Sequence, residues 1–257
     1  MEEKPLVSII LPIQNTDKFL KACIKSLLSQ SYTNFEIIGI DDNSKDSSFR
    51  ILKQFHLSDK RVRCYKNKKR YGLAVCFNRA FKKANGSFIA FIDPSDMNTS
   101  GRIKKQLSYL QSHPKVVAVG SQCTFVTNSN KRYGKSDFPV DCHTIYQTLT
   151  HGSSILFETF MINKKVLPKD LLYVSPKVRP PFLYHDLFVK LAQYGDLTNL
   201  SESLYYRRQS LEQHYQKTLQ ILPTYLTMLI RSITLYDYRP SLRSLFAGLR
   251  VSTQYLQ

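Results

Sequence analysis

Val7-Ser8-Ile9-Ile10-Leu11-Pro12-Ile13-Gln14-Asn15, an amphipathic run from Phe19 to Gln30, and Phe35-Glu36-Ile37-Ile38-Gly39-Ile40-Asp41-Asp42-Asn43-Ser44-Lys45-Asp46 decide the fold. The outer two segments are short, continuously apolar and rich in β-branched residues, as central parallel strands are. Between them Thr16 or Asp17 can cap a helix with Phe19, Leu20, Cys23, Leu27 and Leu28 at helical spacing. In open α/β sheets, ligands bind just outside the carboxyl ends of the strands. The strand–helix–strand unit therefore delivers Pro12 to Asn15 and Asp41 to Asp46 to one crevice.

The alternation continues. Ser47–Phe55 reads as a helix capped from Asp46, Val62–Tyr65 as a third strand, and Lys66-Asn67-Lys68-Lys69-Arg70-Tyr71-Gly72 as a basic loop. A helix follows with Ala74, Phe77, Ala80 and Phe81 on one face and Asn85-Gly86 as its C-cap signal. Ser87–Ile92 is a fourth strand that runs into Asp93-Pro94-Ser95-Asp96. This order predicts a parallel sheet with right-handed crossovers. Farther on, the pattern predicts helices at Arg102–Ser112, Thr144–Leu149 and Leu183–Tyr194. Extended runs are predicted at Val116–Val126, Ser153–Ile162 and Leu204–Arg208, with a polar loop at Lys131–Pro139 and a long flap at Lys164–Pro181.

The 257 residues, 42% of them apolar, can bury the core of one α/β domain with a small appendage. A charged fraction of 22% and an aromatic fraction of 12% argue against global disorder. The net charge of +18 favours polyanionic partners, with a solvated basic surface as the plain alternative. Nucleic-acid binding would need a basic stripe interleaved with aromatics on a recognised module. None is legible, so no nucleic-acid partner is expected. Cys23, Cys64, Cys76, Cys123 and Cys142 are scattered without a C-x-x-C pair, which fits reduced thiols in a cytosol. The chain enters a strand directly after Met1-Glu2-Glu3-Lys4-Pro5, without the form of a signal peptide. No apolar run approaches the roughly 18 residues of a membrane span.

Val-Ser-Ile-Ile-Leu-Pro-x-x-Asn at 7–15 and Asp-Asp-Asn-Ser-x-Asp at 41–46 resemble the start of family 2 glycosyltransferases of the GT-A fold. The resemblance extends to about Gln209. It implies a mainly parallel α/β sheet flanked by helices over residues 1–213, with 214–257 as a helical, basic, amphipathic tail. It also implies transfer of a sugar from a nucleotide-diphospho-sugar, a UDP-sugar by preference, to an acceptor hydroxyl with inversion. The acceptor would be a carbohydrate or lipid-linked molecule in surface glycan, glycolipid or glycoprotein biosynthesis.

Residue by residue, the resemblance sets Asp42 against the nucleotide base, with Pro12, Gln14 and Asn15 as the facing wall. Many relatives carry an aromatic where Gln14 stands. Relatives hold Mg²⁺ or Mn²⁺ with an acidic D-x-D motif at the position of Asp93-Pro94-Ser95-Asp96. Asp93 fills the first acidic place and Asp96 the last, while Ser95 stands where the central metal ligand belongs. Arg70 is matched to a basic residue near the base or phosphates, and Arg207 to one near the donor phosphates or the acceptor loop. Asp186 is matched to the general base of a Glu-Asp motif, with His185 in place of the Glu. Without the resemblance, Asp93 to Asp96 is also an ordinary turn, Arg70 a solvated loop residue, and Asp186 a helix N-cap.

In the tail, Leu219, Leu222, Tyr225, Leu226, Leu229, Ile230 and Ile233 form an apolar stripe interspersed with Arg231, Arg239, Arg243 and Arg250. Such a helix packs on the catalytic domain or lies on an anionic membrane surface. The expected location is cytoplasmic, with a peripheral position on the inner face of the membrane open for the tail. Ser95 and His185 keep a second function open: a non-catalytic GT-A-like protein that binds a nucleotide sugar or a partner.

Overall fold

A computed structural model describes residues 4–149, 154–176, 183–208 and 218–240, with side chains in the last stretch described from Leu226 onward. The first unit is β1 (Val7–Ile13), α1 (Asp17–Leu28) and β2 (Phe35–Asp41). It is followed by α2 (Ser48–Ser58), β3 (Val62–Lys66), α3 (Leu73–Lys83) and β4 (Phe88–Phe91). These four strands are parallel in the order β3-β2-β1-β4, with Val7 opposite Phe35 and Ile13 opposite Asp41.

The second half contributes β5 (Met97–Asn98), α4 (Arg102–Ser112), β6 (Val116–Val126), β7 (Arg132–Lys135) and α5 (Cys142–Thr148). A 3₁₀ turn at Phe157–Thr159 leads to β8 (Met161–Asn163), then α6 (Leu183–Leu191), β9 (Asp196–Arg208) and α7 (Thr218–Tyr236). The sheet continues β4-β8-β6-β9-β5. β8 runs antiparallel to both neighbours, whereas β6 and β9 are parallel. The result is a mixed α/β sheet flanked by helices, parallel through β3-β2-β1-β4 and between β6 and β9 and antiparallel at its other pairings, rather than mainly parallel as expected.

Period-2 alternation splits the core. Val7, Ile9, Leu11 and Ile13 of β1 pack with α1, α2 and α4, while Ile10 packs with α3, α5 and α6. Each such fully buried side chain contributes about 1.5–3 kcal/mol of transfer free energy.

Several local expectations are corrected. Gly86 is not a left-handed helix cap: α3 ends at Lys83, and a Cβ on Gly86 would lie 2.6 Å from the Ser8 amide nitrogen. Its value is close approach to β1, where its N–H donates to Ser8 Oγ at 2.8 Å. Ser153–Ile162 is not continuously extended. Thr159 turns back on Leu156 O through both its amide (2.9 Å) and its hydroxyl (2.7 Å), a local bond that competes with a strand ladder. The polar loop at Lys131–Pro139 contains β7, and β9 begins at Asp196 rather than Leu204.

In the tail, Met228, Leu229, Ser232 and Tyr238 are buried, and the Tyr238 hydroxyl donates to Tyr146 O at 2.9 Å. Leu226, Ile230 and Ile233 of the expected stripe are exposed instead. The side chains of Leu219, Leu222 and Tyr225, and residues Arg243 and Arg250, lie outside the described residues. Among the described residues no helix is long and apolar enough to cross a membrane.

Candidate active site

A cleft of about 270 Å³ opens at the carboxyl ends of β1, β2 and β4. Its lining includes Pro12, Gln14 and Thr16 after β1, Asp42 after β2, and Arg70 and Gly72 before α3. It continues over Asp93, Pro94 and Ser95 after β4 to Glu158 and Tyr184. The strand order thus lays out three acidic side chains in sequence across the sheet: Asp42, Asp93, Glu158.

Asp42 is buried and already holds three donors. Its Oδ1 accepts from Asn67 Nδ2 (2.6 Å) and the Tyr71 amide (2.9 Å), and its Oδ2 from the Gly72 amide (2.7 Å). Gly72 sits at φ +90°, a conformation other residues rarely adopt, so the loop turns there to meet the carboxylate. One carboxylate therefore fixes the loop that carries Lys68, Lys69 and Arg70 to solvent. Asn15 does not line the cleft. At φ +52° it ties two loops together, its amide donating to Ser44 Oγ (3.0 Å) and its Oδ1 accepting from Lys45 N (2.8 Å). Asp46 accepts from the amides of Ser48 and Asp17, so it caps α2 and anchors the start of α1.

The acidic turn divides its carboxylates. Asp93 is partly exposed at the cleft, and its Oδ1 accepts from Ser95 N at 2.8 Å. Asp96, the other carboxylate expected at the metal, does not line the cleft. It is buried off the cleft, with Oδ1 accepting from Arg208 N (2.6 Å) and Oδ2 from the Tyr205 hydroxyl (2.7 Å). Burial, reinforced by the Asp93 charge, pushes its carboxyl up to about 8. Arg208 also donates through Nε to Ser95 O (2.9 Å) and through Nη1 to Thr127 O (2.7 Å). Arg208 thus braces the turn, whereas Arg207, the expected phosphate contact, is not among the cleft's lining residues.

At the far end, Glu158 is partly buried and hydrogen-bonds the Tyr184 hydroxyl. Burial pushes the Glu158 carboxyl up, the Arg207 charge opposes that, and Asp93 adds to it. Burial also pushes the Tyr184 phenol well up, so it remains a donor.

Residues 8–171 match the model of a known family, described as glycosyl transferase family 2. The chain belongs to that family. A glycosyltransferase of Haemophilus influenzae described as uncharacterised is 32% identical over 170 residues, 63% of each chain. An Escherichia coli relative named UDP-Glc:alpha-D-GlcNAc-diphosphoundecaprenol beta-1,3-glucosyltransferase WfgD is 34% identical over 163 residues, 63% of this chain and 62% of that one. The chain thus spans somewhat under two thirds of these relatives. The solved structure of S. aureus TarS 1-349 in complex with UDP-GlcNAc superposes with a TM-score of 0.70 at 17% identity, over 98% of this chain and 72% of that one. Mannosyltransferase PcManGT from Pyrobaculum calidifontis, in complex with GDP-Man and Mn2+, gives 0.64 at 14% identity, over 97% and 70%. Both likenesses carry the GT-A fold.

In this family 2 chain the expected base, Asp186, is not among the residues lining the cleft. It is buried instead. Its Oδ2 pairs with Lys190 Nζ at 2.6 Å and its Oδ1 lies 3.9 Å from Arg231 Nη2 on α7. Tyr184, two residues earlier on α6, faces the cleft in its place. Polar cleft members that sequence reasoning missed include Thr16, Cys76, Glu158 and Tyr184. Glu158 carried a signal: it is the one carboxylate within the apolar run Ile155–Ile162, where an ionisable group is costly without a purpose.

Proposed function

We propose that this chain transfers a sugar from a nucleotide-diphospho-sugar, probed first as a UDP-sugar, to an acceptor hydroxyl with inversion at the anomeric carbon. The observation that carries this reading is the single cleft joining Asp42, Arg70 and Asp93 at the carboxyl ends of three adjacent strands. The base lies against Pro12, Gln14 and Asp42, whose carboxylate keeps a remaining lone-pair position for an imide N–H. Arg70 and the turn at Asp93 face the diphosphate. An acceptor oxygen attacks the anomeric carbon in line, and the nucleoside diphosphate leaves with the bonding pair. The UDP-Glc in the name of WfgD and the UDP-GlcNAc bound to TarS support the donor class, and the diphosphoundecaprenol in WfgD's name supports a lipid-linked acceptor.

Asp93 and Ser95 present oxygen donors of the kind that suits Mg²⁺ or Mn²⁺. Among the described residues no group of three His, Cys, Asp or Glu converges to hold a metal. That agrees with a cation held by Asp93, the donor phosphates and water, as Mg²⁺ commonly is. Such an ion would stabilise charge on the departing diphosphate. Residues 1–213 are the catalytic unit in this reading. The exposed Leu226, Ile230 and Ile233 beside Arg231 and Arg239 support contact between the tail and an anionic membrane carrying a lipid-linked acceptor.

The second reading, a nucleotide-sugar-binding protein without transfer, is favoured by Ser95 and by the absence of Asp186 from the cleft. A panel of nucleotide sugars with and without Mn²⁺, read by heat stability and nucleotide release, separates the two. Stabilisation with release supports transfer; stabilisation without release supports binding alone.

A further inference from the structure

The cleft contains a carboxylate with no role in donor binding. We propose that Glu158 is the catalytic base that takes the proton of the acceptor hydroxyl, an inference that rests on the transfer reading above.

Across the sheet the order is β2, β1, β4, β8, and the cleft follows it from Asp42 to Asp93 to Glu158. A donor laid with its base at β2 and its diphosphate at β4 carries its sugar toward the turn before β8. Glu158 stands on that turn. In a displacement with inversion, the base acts on the face of the sugar away from the leaving group, so it belongs beyond the sugar.

The other lining groups that could take a proton are already committed or protonated. Asp42 is engaged by three donors at the opposite end. Asp93 lies in the turn assigned to the diphosphate and accepts from Ser95 N. Burial pushes the Cys76 thiol up to about 12, which leaves almost no thiolate near neutral pH. The Tyr184 phenol is likewise held protonated and points its hydroxyl at Glu158. Asp186 is ion-paired outside the cleft. Glu158 remains, with the Tyr184 hydroxyl to orient it; burial raises its carboxyl, which strengthens it as a proton acceptor, and the Arg207 charge opposes that rise.

The step balances. The acceptor oxygen forms its bond to the anomeric carbon as its proton passes to a Glu158 oxygen. The bond from that carbon to the phosphate oxygen breaks, and the nucleoside diphosphate keeps the electron pair. Glu158 then returns the proton to solvent.

The test uses the full chain with UDP-glucose, UDP-GlcNAc and GDP-mannose, following nucleotide release, and UDP affinity by calorimetry. Glu158→Gln keeps the side chain's shape and an acceptor for Tyr184, so UDP affinity should stay within about twofold while release falls about 10²–10⁴-fold, the usual worth of a general base. Glu158→Ala with added azide, an anion that has no proton to lose, should recover release and yield a glycosyl azide of inverted configuration. A structural role would not produce that recovery. Parental release by Glu158→Gln, or no recovery by azide with UDP binding intact, overturns the assignment while leaving the transfer reading in place. A parent chain that binds UDP yet releases nucleotide from none of the three donors overturns both.

Discussion

Tyr184 and Asp186 sit two positions apart on α6 and serve opposite sides of it. At 100° per residue the two side chains diverge by about 200°. Tyr184 faces the cleft and Glu158, while Asp186 faces Lys190 and the Arg231 side chain of α7. The acidic residue that most resembles the family's base is therefore a fastening between helices.

Removing that fastening should cost stability before chemistry. Asp186→Ala removes the carboxylate from a partly exposed Lys190 that still donates to Tyr173 O, and should lower unfolding free energy by about 1.5–3 kcal/mol. Urea unfolding checks the loss. Asp186→Asn, assayed well below its melting temperature, should retain UDP affinity and nucleotide release within about threefold. A loss of release near the size expected of a general base, about 10²–10⁴-fold, would return the base role to Asp186.

Asp42→Ala should weaken UDP binding by about 1.5–3 kcal/mol, the worth of a hydrogen bond to a charged group. It should also free the amides of Tyr71 and Gly72, which hydrogen exchange would report as lost protection. Unchanged calorimetric affinity removes Asp42 from the base site.

Ser95→Asp places a carboxylate where family relatives carry the central metal ligand. Mn²⁺ affinity in the presence of UDP should rise about tenfold or more, because ligand charge count tunes such sites. Titration calorimetry with and without UDP measures it, and equal affinities for the two proteins would remove Ser95 from the metal's surroundings.

Asp96 gives a pH signature. Its folded carboxyl is pushed up to about 8, mainly by burial, against an ordinary value of about 4 when unfolded. The folded chain therefore holds a proton that the unfolded chain has released. Its contribution to stability is complete below about pH 4 and is lost as pH rises to about 8. Asp96→Asn should flatten the stability profile across that window and be relatively most stabilising at its upper end. Thermal melts at several pH values decide it.

The first half of the molecule was legible because β1 and β2 are buried on both faces, so burial writes unbroken apolar runs into the sequence. The crevice at Asp42 and Asp93 followed from strand direction alone. What escaped depends on facing. The register between β6 and β9 shifts near Ser121 to Cys123, and each one-residue slip exchanges inward and outward side chains. Which of the neighbouring Arg207 and Arg208 braces the acidic turn is set by that facing, and it is Arg208. The side of α6 that meets the cleft is likewise set by packing against α7, which no local pattern encodes. Glu158 lay in plain view inside an apolar run, but its turn depends on Thr159 bonding back to Leu156.

The acidic turn after β4 is fixed from one strand end: the Tyr205 hydroxyl and the Arg208 amide hold Asp96, and the Arg208 guanidinium holds Ser95 O. Its backbone is therefore ordered on folding, not on ligand arrival. A diphosphate meeting Asp93 loses little entropy to arranging that wall, so the binding entropy should be dominated by water and counterion release and by the exposed cations at 68–70. Both walls of the cleft are then set in advance: a rigid anvil at the Asp93 turn, and a basic loop pinned through Asp42.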